Sequence, residues 1–210
     1  MKNFFQKYMN TIMVPMFLGV VLVVPLCITS RNNRNLDNGN YGTHMAPLLT
    51  VVAHTVGPIL ELGAGDYSTT LLHAVCQSSQ RYILTADTSK QWLDLFLDLK
   101  TDWHSFQYVP VYEDDWEINP QPSLWDSVGA DREWSVAFID HRPGERRIDD
   151  IQRLRNQTAV FVVHDTQQPS YGWEPLLSSF NYRYVYNRYA TQTTIVSDTI
   201  DIRDWFSGNQ

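Results

Sequence analysis

The chain has 210 residues, which suffices for one domain with a substantial core and is marginal for two. Hydrophobic residues make up 43% and charged residues 19%, so the composition excludes a chain that is disordered throughout. The formal net charge is −7, and the few clustered arginines do not form the basic stripe of a nucleic-acid-binding protein. We therefore expect no nucleic-acid partner.

An uncharged apolar run covers residues 11–28, and its 18 residues reach the lower limit for a helix that spans a bilayer. Lys2 and Lys7 precede the run, as basic residues do in a signal peptide. The bulky residues 26–28 do not form a small-residue cleavage site. We predict a transmembrane signal anchor at residues 11–29 of a single-pass membrane protein. Cleavage of the segment, with secretion of the rest, is the alternative.

Basic residues lie on both sides of the apolar run, so the positive-inside rule leaves its orientation open. A glycosylation sequon begins at Asn156, which favours an endomembrane location with the following domain in the lumen. In either orientation the membrane is an expected partner, through residues 11–29.

Polar residues, many of them Asn, fill positions 30–45, which we interpret as a linker; residues 1–10 form a short tail before the apolar run. From 46 to 206, strand-like and helix-like segments alternate. The predicted strands are 58–62, 82–86, 106–111, 134–139, 159–163, 182–188 and 191–197, and the predicted helices are 46–55, 68–77, 90–99, 148–154 and 173–180.

This alternation is typical of crossover units and a parallel sheet. Residues 160–163 are apolar on both faces, as in a central strand covered by helices. The last two strands are close enough in the chain to form a hairpin. The sequence therefore predicts an α/β fold: a single three-layer α/β/α Rossmann-like domain, its mostly parallel seven-stranded sheet ending in a C-terminal antiparallel hairpin. One N-terminal transmembrane helix precedes this domain.

The first predicted strand ends in a glycine turn, Glu61-Leu62-Gly63-Ala64-Gly65-Asp66. Open parallel sheets bind ligands beyond the carboxyl ends of their strands, and two glycines permit a tight turn that a ligand can approach closely. Ser68 stands where the dinucleotide fingerprint has its third glycine, which argues against NAD.

Acidic residues follow the next two predicted strands. Asp87 could accept hydrogen bonds from both ribose hydroxyls of a nucleoside cofactor. Alternatively, Asp87 or Thr88 could cap the following helix. Taken with the glycine turn, ribose binding is favoured. Asp114, within the acidic run 113–115, could bind an adenine amino group or lie in a solvated loop, and both interpretations stay open.

Two further strands each end in an Asp beside a His: Asp140-His141 and His164-Asp165. The carboxyl ends of parallel neighbours lie at one sheet edge, so this convergence predicts a site. His141 and His164 are the predicted proton acceptors, because neutral imidazole accepts a proton near neutral pH.

Three arginines follow the first of these pairs. Arg142, Arg146 and Arg147 could grip an acidic substrate group or project into solvent at the start of a helix. For Arg147 we favour solvent.

This ordered set of motifs resembles that of class I S-adenosylmethionine-dependent methyltransferases over most of residues 45–200. The cofactor carries a cationic sulfonium and ammonium but no phosphate, so an acidic site attracts it. The resemblance implies S-adenosylmethionine as cofactor and a binding set made of Glu61, Gly63, Gly65, Asp66, Asp87, Asp114 and Asp140.

A narrower resemblance concerns the two Asp-His strand ends, which are similar to those of catechol-type, metal-dependent O-methyltransferases. It implies a Mg²⁺ ion held by Asp140 and Asp165, with Asp140 also in the catalytic group. The chain departs from that pattern at Thr166, where the family has an Asn ligand, and at Pro143, where it has a catalytic Lys.

The resemblance and the apolar run together predict a membrane-anchored methyltransferase whose acceptor, an oxygen, belongs to a small molecule, a sugar or a lipid-linked compound. One alternative is a small membrane-anchored glycosyltransferase, suggested by the acidic run 113–115. Another is a non-catalytic protein that keeps the methyltransferase fold to bind a partner, suggested by the departures at Pro143 and Thr166.

Overall fold

The computed structural model describes residues 11–15, 21–25, 42–110 and 124–209. The chain divides into two compact units, Met1–Gly39 and Asn40–Gln210. Each unit is described by itself.

The first unit contains two short antiparallel strands, β1 (Thr11–Pro15) and β2 (Val21–Pro25). Thr11 pairs with Pro25, and Pro15 pairs with Val21. This differs from the helix predicted over the apolar run, and the valines and flanking prolines of β2 favour an extended backbone. Among the described residues, no helix has the length and apolar character needed to cross a bilayer.

The second unit is built on a seven-stranded sheet with the order β5-β4-β3-β6-β7-β9-β8. Five strands are parallel, and β9 runs antiparallel to both β7 and β8. The strands are β3 (Ile59–Leu62), β4 (Ile83–Asp87), β5 (His104–Tyr108), β6 (Trp134–Ile139), β7 (Thr158–His164), β8 (Tyr182–Tyr186) and β9 (Thr193–Ser197). The prediction of a mostly parallel sheet with antiparallel strands at its C-terminal end is confirmed.

The two C-terminal strands, β8 and β9, differ in burial because one lies inside the sheet and the other at its edge. All five residues of β9 are buried, whereas four of the five in β8 are half-buried. The fully buried strand β9 lies inside the sheet, next to β7, and β8 forms the edge.

Helices cover both faces of this sheet. They are α1 (Met45–Ala53), α2 (Ser68–Cys76), α3 (Lys90–Leu93), α4 (Arg146–Leu154) and α5 (Trp173–Leu177), with 3-10 turns at Asp94–Leu99, Leu124–Ser127, Arg155–Gln157, Pro169–Tyr171 and Arg203–Asn209. The helix predicted over 90–99 is α-helical only in its first turn. Leu93 and Phe96, three residues apart, are its buried positions, a spacing that suits the tighter 3-10 helix.

Alternation along each strand creates two cores. On one face, Leu60 and Leu62 pack in a cluster with Ile151 and Leu154 of α4. On the other face, Ile59 packs in a cluster with side chains of α1 and α2, including Leu48, Val51 and Leu72. This two-sided burial gives the three layers and leaves the carboxyl ends of the parallel strands at one edge.

Candidate functional site

The glycine turn after β3 lies directly against the end of β6. Gly63 has a φ of +97°, and a Cβ on it would lie 2.5 Å from the Asp140 carbonyl oxygen. The Asp140 N–H donates to the Leu62 carbonyl at 2.8 Å, which fixes the two strand ends together. Position 63 therefore requires glycine, and the backbone of Asp140 lies against the turn.

Glu61 supports this turn from inside the protein. Its carboxylate is fully buried and accepts hydrogen bonds from the Thr69 hydroxyl at 3.0 Å and the Thr85 hydroxyl at 2.6 Å. Thr69 in turn accepts the Gly65 N–H at 2.9 Å. Burial raises the pKa of Glu61 to about 7, against the opposing hydrogen bonds from Ser68, Thr85 and Thr69. The carboxylate thus holds the turn in shape and, with no exposed surface, is not placed for direct contact with a cofactor.

Asp87, at the end of β4, braces the same turn while remaining partly exposed. Its Oδ2 accepts the Ala64 N–H at 2.9 Å, and its Oδ1 accepts the Ser89 N–H at 2.7 Å. The cap of α3 is the Ser89 side chain, which accepts the Trp92 N–H, so neither Asp87 nor Thr88 caps that helix. A carboxylate has about four lone-pair sites. The carboxylate of Asp87 therefore keeps acceptor capacity for ribose hydroxyls.

The remaining acids of the predicted cofactor set have different positions. Asp66 is exposed, just before α2. Asp114 lies outside the described residues.

Asp140 and His164 form a hydrogen-bonded pair across the ends of β6 and β7. Asp140 Oδ2 lies 3.2 Å from His164 Nδ1, and His164 Nε2 lies 3.0 Å from the Thr43 hydroxyl. Burial favours the neutral acid, but the hydrogen bond and charge of His164 and the guanidinium of Arg147 outweigh it and lower the pKa of Asp140. Two predicted catalytic residues are therefore in contact.

Arg147, expected in solvent, is buried at the start of α4, and that prediction was wrong. Its Nη2 lies 3.0 Å from Asp140 Oδ1, its Nη1 lies 3.5 Å from Asp165 Oδ2, and its Nε donates to the His141 carbonyl at 2.6 Å. A buried guanidinium requires acceptors, and these strand ends supply them. The cation thus lies between the two carboxylates that the resemblance assigned to magnesium.

The other two arginines do not join this contact. Arg142 is exposed, and Arg146 pairs with Asp150 at 3.2 Å and with Asp126.

The His141 side chain points away from the Arg147 contact, although the sequence predicted it as a proton acceptor. Its side chain is 1% exposed, and its Nε2 lies 2.9 Å from Asp150 Oδ2. The Trp125 ring packs 4.4 Å from the imidazole centroid. Burial lowers the pKa of His141 in spite of Asp150. A histidine sealed in this way has no exposed surface with which to meet an acceptor.

The segment just before α1 was assigned to the linker, but it belongs to the site. Thr43 and His44 are each 4% exposed, and the rings of His44 and His164 meet edge to face with centroids 4.7 Å apart. A Cβ on Gly42 would lie 3.2 Å from the Tyr67 ring, beside the glycine turn. The Asn-rich composition before position 42 hid this role, and the only local signal was a His directly before an apolar helix.

Several solved structures that resemble this one are described as methyltransferases. Human methyltransferase-like protein 13 in complex with SAH superposes with a TM-score of 0.52 at 13% identity, covering 74% of this chain and 82% of that one. An SAH-bound methyltransferase from Podospora anserina gives a TM-score of 0.52 at 13% identity, with 74% and 77% covered. A Klebsiella pneumoniae protein designated an O-methyltransferase gives a TM-score of 0.53 at 11% identity, covering 78% of this chain and 83% of that one.

No protein-family model matches the chain, and no curated protein matches it in sequence. At identities this low, the likeness concerns the arrangement of strands and helices. The chain has the fold of the class I S-adenosylmethionine-dependent methyltransferases.

Proposed function

We propose that the chain is an S-adenosylmethionine-dependent methyltransferase that acts on an oxygen acceptor and is anchored to a membrane by residues 11–29. The observation that carries the catalytic part is the glycine turn. Glu61 supports the turn from inside the protein, and Asp87 accepts a hydrogen bond from its backbone. The turn contacts Asp140 at the carboxyl edge of the sheet, where this fold binds ligands.

The residues at the turn suit S-adenosylmethionine. Gly63 and Gly65 leave the backbone open to close approach by the methionine part, and Asp87 can accept from the ribose. Asp66 and Asp140 add negative charge that attracts a cationic sulfonium. When bound, the cofactor supplies an electrophilic methyl group. The chain's own residues have to position the acceptor oxygen in line with it.

Asp140 and His164 are the residues placed to meet the acceptor. They lie beside the glycine turn, and Asp140 keeps 25% of its side chain exposed. An acceptor hydroxyl must lose its proton during transfer, so a polar pair at this edge is chemically appropriate.

Magnesium at Asp140 and Asp165 does not fit these residues. The Arg147 guanidinium already lies between the two carboxylates, and Thr166 replaces the third expected oxygen ligand with a hydroxyl that lies 2.8 Å from that of Thr194. We derive no catalytic step through magnesium.

Calorimetry tests cofactor binding. The full chain in mild detergent is titrated with S-adenosylmethionine, S-adenosylhomocysteine and a nucleotide sugar. We expect binding of the first two only, and Asp87→Asn should weaken it by more than about tenfold, since it removes a charge-assisted hydrogen bond to the ribose. Asp98→Asn, an exposed acid on the 3-10 turn after α3, is the matched control. A folded chain that binds neither adenosyl compound contradicts the proposal, and nucleotide-sugar binding favours a glycosyltransferase.

The anchor rests on the uncharged apolar run, and membrane fractionation tests it. We expect the full chain to stay in the membrane pellet after alkaline carbonate extraction. If the domain lies in the lumen, glycosidase treatment should shift its mobility, and Asn156→Gln should abolish that shift. Asn156 is exposed in the 3-10 turn before β7, as a modified residue must be. Release into the soluble fraction would contradict the anchor.

A further inference from the structure

Three potential metal ligands converge beside the glycine turn: His44, Asp140 and His164. One ligand atom from each lies within 4.8 Å of the others. His44 is 4% exposed, and neither of its ring nitrogens has a hydrogen-bond partner among the described residues. Buried polar atoms are nearly always satisfied, so this ring calls for a partner of its own. His44 is the N-cap residue of α1, but its side chain makes no capping hydrogen bond. The imidazole is therefore available to bind such a partner.

The spacing within the cluster suits a small divalent ion. His164 Nδ1 and Asp140 Oδ2 are 3.2 Å apart. Two ligand atoms at about 2.0 to 2.2 Å from a tetrahedral ion lie roughly 3.3 Å from each other. The three ligand atoms all lie within 4.8 Å of one another, and a bound ion would draw them closer together.

The surrounding residues would orient these ligands. A histidine that binds a metal through one nitrogen usually donates its other ring N–H to a neighbour. When the ion displaces the proton between His164 Nδ1 and Asp140, the Thr43 hydroxyl, 3.0 Å from His164 Nε2, can accept the Nε2–H and leave Nδ1 as the ligand. Arg147 holds the opposite carboxylate oxygen, Oδ1, so Oδ2 stays directed at the imidazole. The cluster is therefore distinct from the Asp140 and Asp165 pair, which the guanidinium occupies.

We propose that His44, Asp140 and His164 bind a divalent transition-metal ion of the zinc class. Two imidazoles and one carboxylate suit zinc and its neighbours, whereas magnesium requires oxygen ligands. Three protein ligands leave a fourth position open, as in catalytic zinc sites. On the proposed function, that position would receive the acceptor oxygen, next to the turn that binds the methyl donor. The binding of the ion does not itself depend on methyl transfer.

Metal titration of the full chain tests this site. The chain is stripped with a chelator and titrated with Co²⁺, Zn²⁺ or Mg²⁺, with visible absorption for Co²⁺ and thermal unfolding for all three. We expect a Co²⁺ spectrum at one equivalent, its displacement by Zn²⁺, and a rise in unfolding temperature with both ions, because a ligand that binds the folded state stabilises it. Mg²⁺ should have no effect.

Variants assign the ligands. His44→Gln and His164→Gln should each weaken Co²⁺ binding by more than about tenfold. His54→Gln, an exposed histidine at the other end of α1, should bind as the unchanged chain does. The site would be overturned if the folded, unsubstituted chain showed neither a Co²⁺ spectrum nor a thermal shift with Zn²⁺. Water would then be the partner of His44. Unchanged binding by a folded His44→Gln variant would overturn it equally.

The result is separable from cofactor binding. S-adenosylmethionine binding without metal binding would refute the metal site and leave the proposed function standing. Metal binding without S-adenosylmethionine binding would support the metal site and contradict the proposed function.

Discussion

Gly63 shows how strongly one residue can be constrained at the site. Its φ of +97° and the 2.5 Å approach of a Cβ to the Asp140 carbonyl both exclude a side chain. We predict that Gly63→Ala lowers the free energy of unfolding by at least about 2 kcal/mol, because a left-handed backbone angle alone costs about 1 to 3 kcal/mol. Chemical denaturation of the full chain measures the loss.

Gly65 provides the matched control for Gly63. A Cβ on Gly65 would meet only the Ser68 hydroxyl, at 3.1 Å, which can rotate away. Gly65→Ala should therefore change the free energy of unfolding by less than about 1 kcal/mol. Equal losses in the two variants would contradict the argument that the turn is fixed by its approach to Asp140.

Glu61 makes stability depend on pH. Its folded pKa of about 7 lies above its usual value of 4.5, so between these values the native state keeps a proton that the unfolded state has lost. The contribution is complete below pH 4.5 and is lost as pH rises towards 7, by about 3 kcal/mol in all. Glu61→Gln removes the ionisation. We predict that unfolding free energies of the two proteins, measured from pH 4.5 to 8, differ increasingly in favour of the variant.

The matched control for this residue is Glu145→Gln, because Glu145 is exposed at the start of α4. Its pH profile should parallel that of the unchanged chain. A Glu61→Gln profile that also runs parallel would show that the buried carboxylate is already ionised at pH 4.5.

At the scale of elements, α4 is joined to the ends of β6 and β7 through Arg147. The guanidinium contacts Asp140, Asp165 and the His141 carbonyl, and so ties one helix to two strand ends. We predict that Arg147→Met lowers the free energy of unfolding by about 2 kcal/mol, since it removes the cation that pairs with two half-buried carboxylates. Urea denaturation measures this.

An exposed arginine four residues before α4 separates this effect from a general loss of positive charge. Arg142→Met should change the free energy of unfolding by less than about 0.5 kcal/mol. Arg147→Lys should have a higher free energy of unfolding than Arg147→Met but a lower one than the unchanged chain. The lysine ammonium keeps the charge but lacks the planar set of N–H groups that reaches the three acceptors. Full recovery by lysine would mean that charge alone matters.

At the scale of the whole molecule, the sequence predicted the parts of the fold that depend on local pattern. The strand Trp134–Ile139 was predicted with its observed bounds, because charged residues flank a run that is apolar except for Ser135. The pairing of Ile139 with Val163 then brings Asp140 and His164 together, as expected for parallel neighbours. Local pattern and sheet geometry are sufficient for this much.

The rest of the site depends on contacts that local pattern does not contain. Thr43 and His164 are 121 positions apart, and nothing in an Asn-rich segment marks its last residues as buried. Arg147 has a charged side chain at a helix start, which predicts exposure, and only the two carboxylates from other strands make its burial favourable. His141 was predicted as a base because it lies at a strand end, and local pattern did not show that Asp150, buried on the following helix, pairs with it.

Buried neutral histidines give the whole molecule a common sensitivity to acid. His104, at the start of β5, is buried, with Nε2 3.0 Å from the Thr85 hydroxyl and Nδ1 3.1 Å from His73 Nδ1. Thr85 also donates to Glu61. Burial, together with a smaller contribution from the charge of His73, lowers the pKa of His104 to about 3.

The unfolded chain therefore binds a proton at His104 below pH 6.5 that the native chain does not. Stability from this residue is present above pH 6.5 and is lost as pH falls, by about 1.4 kcal/mol per pH unit. We predict that His104→Gln makes the fall in unfolding free energy between pH 6.5 and 4 shallower by that slope, as measured by urea denaturation at a series of pH values. His54→Gln, which changes an exposed histidine, should leave the slope as it is. Equal slopes in both variants would mean that His104 is protonated in the folded chain, and that the hydrogen bonds joining β4, β5 and α2 are arranged differently from those described.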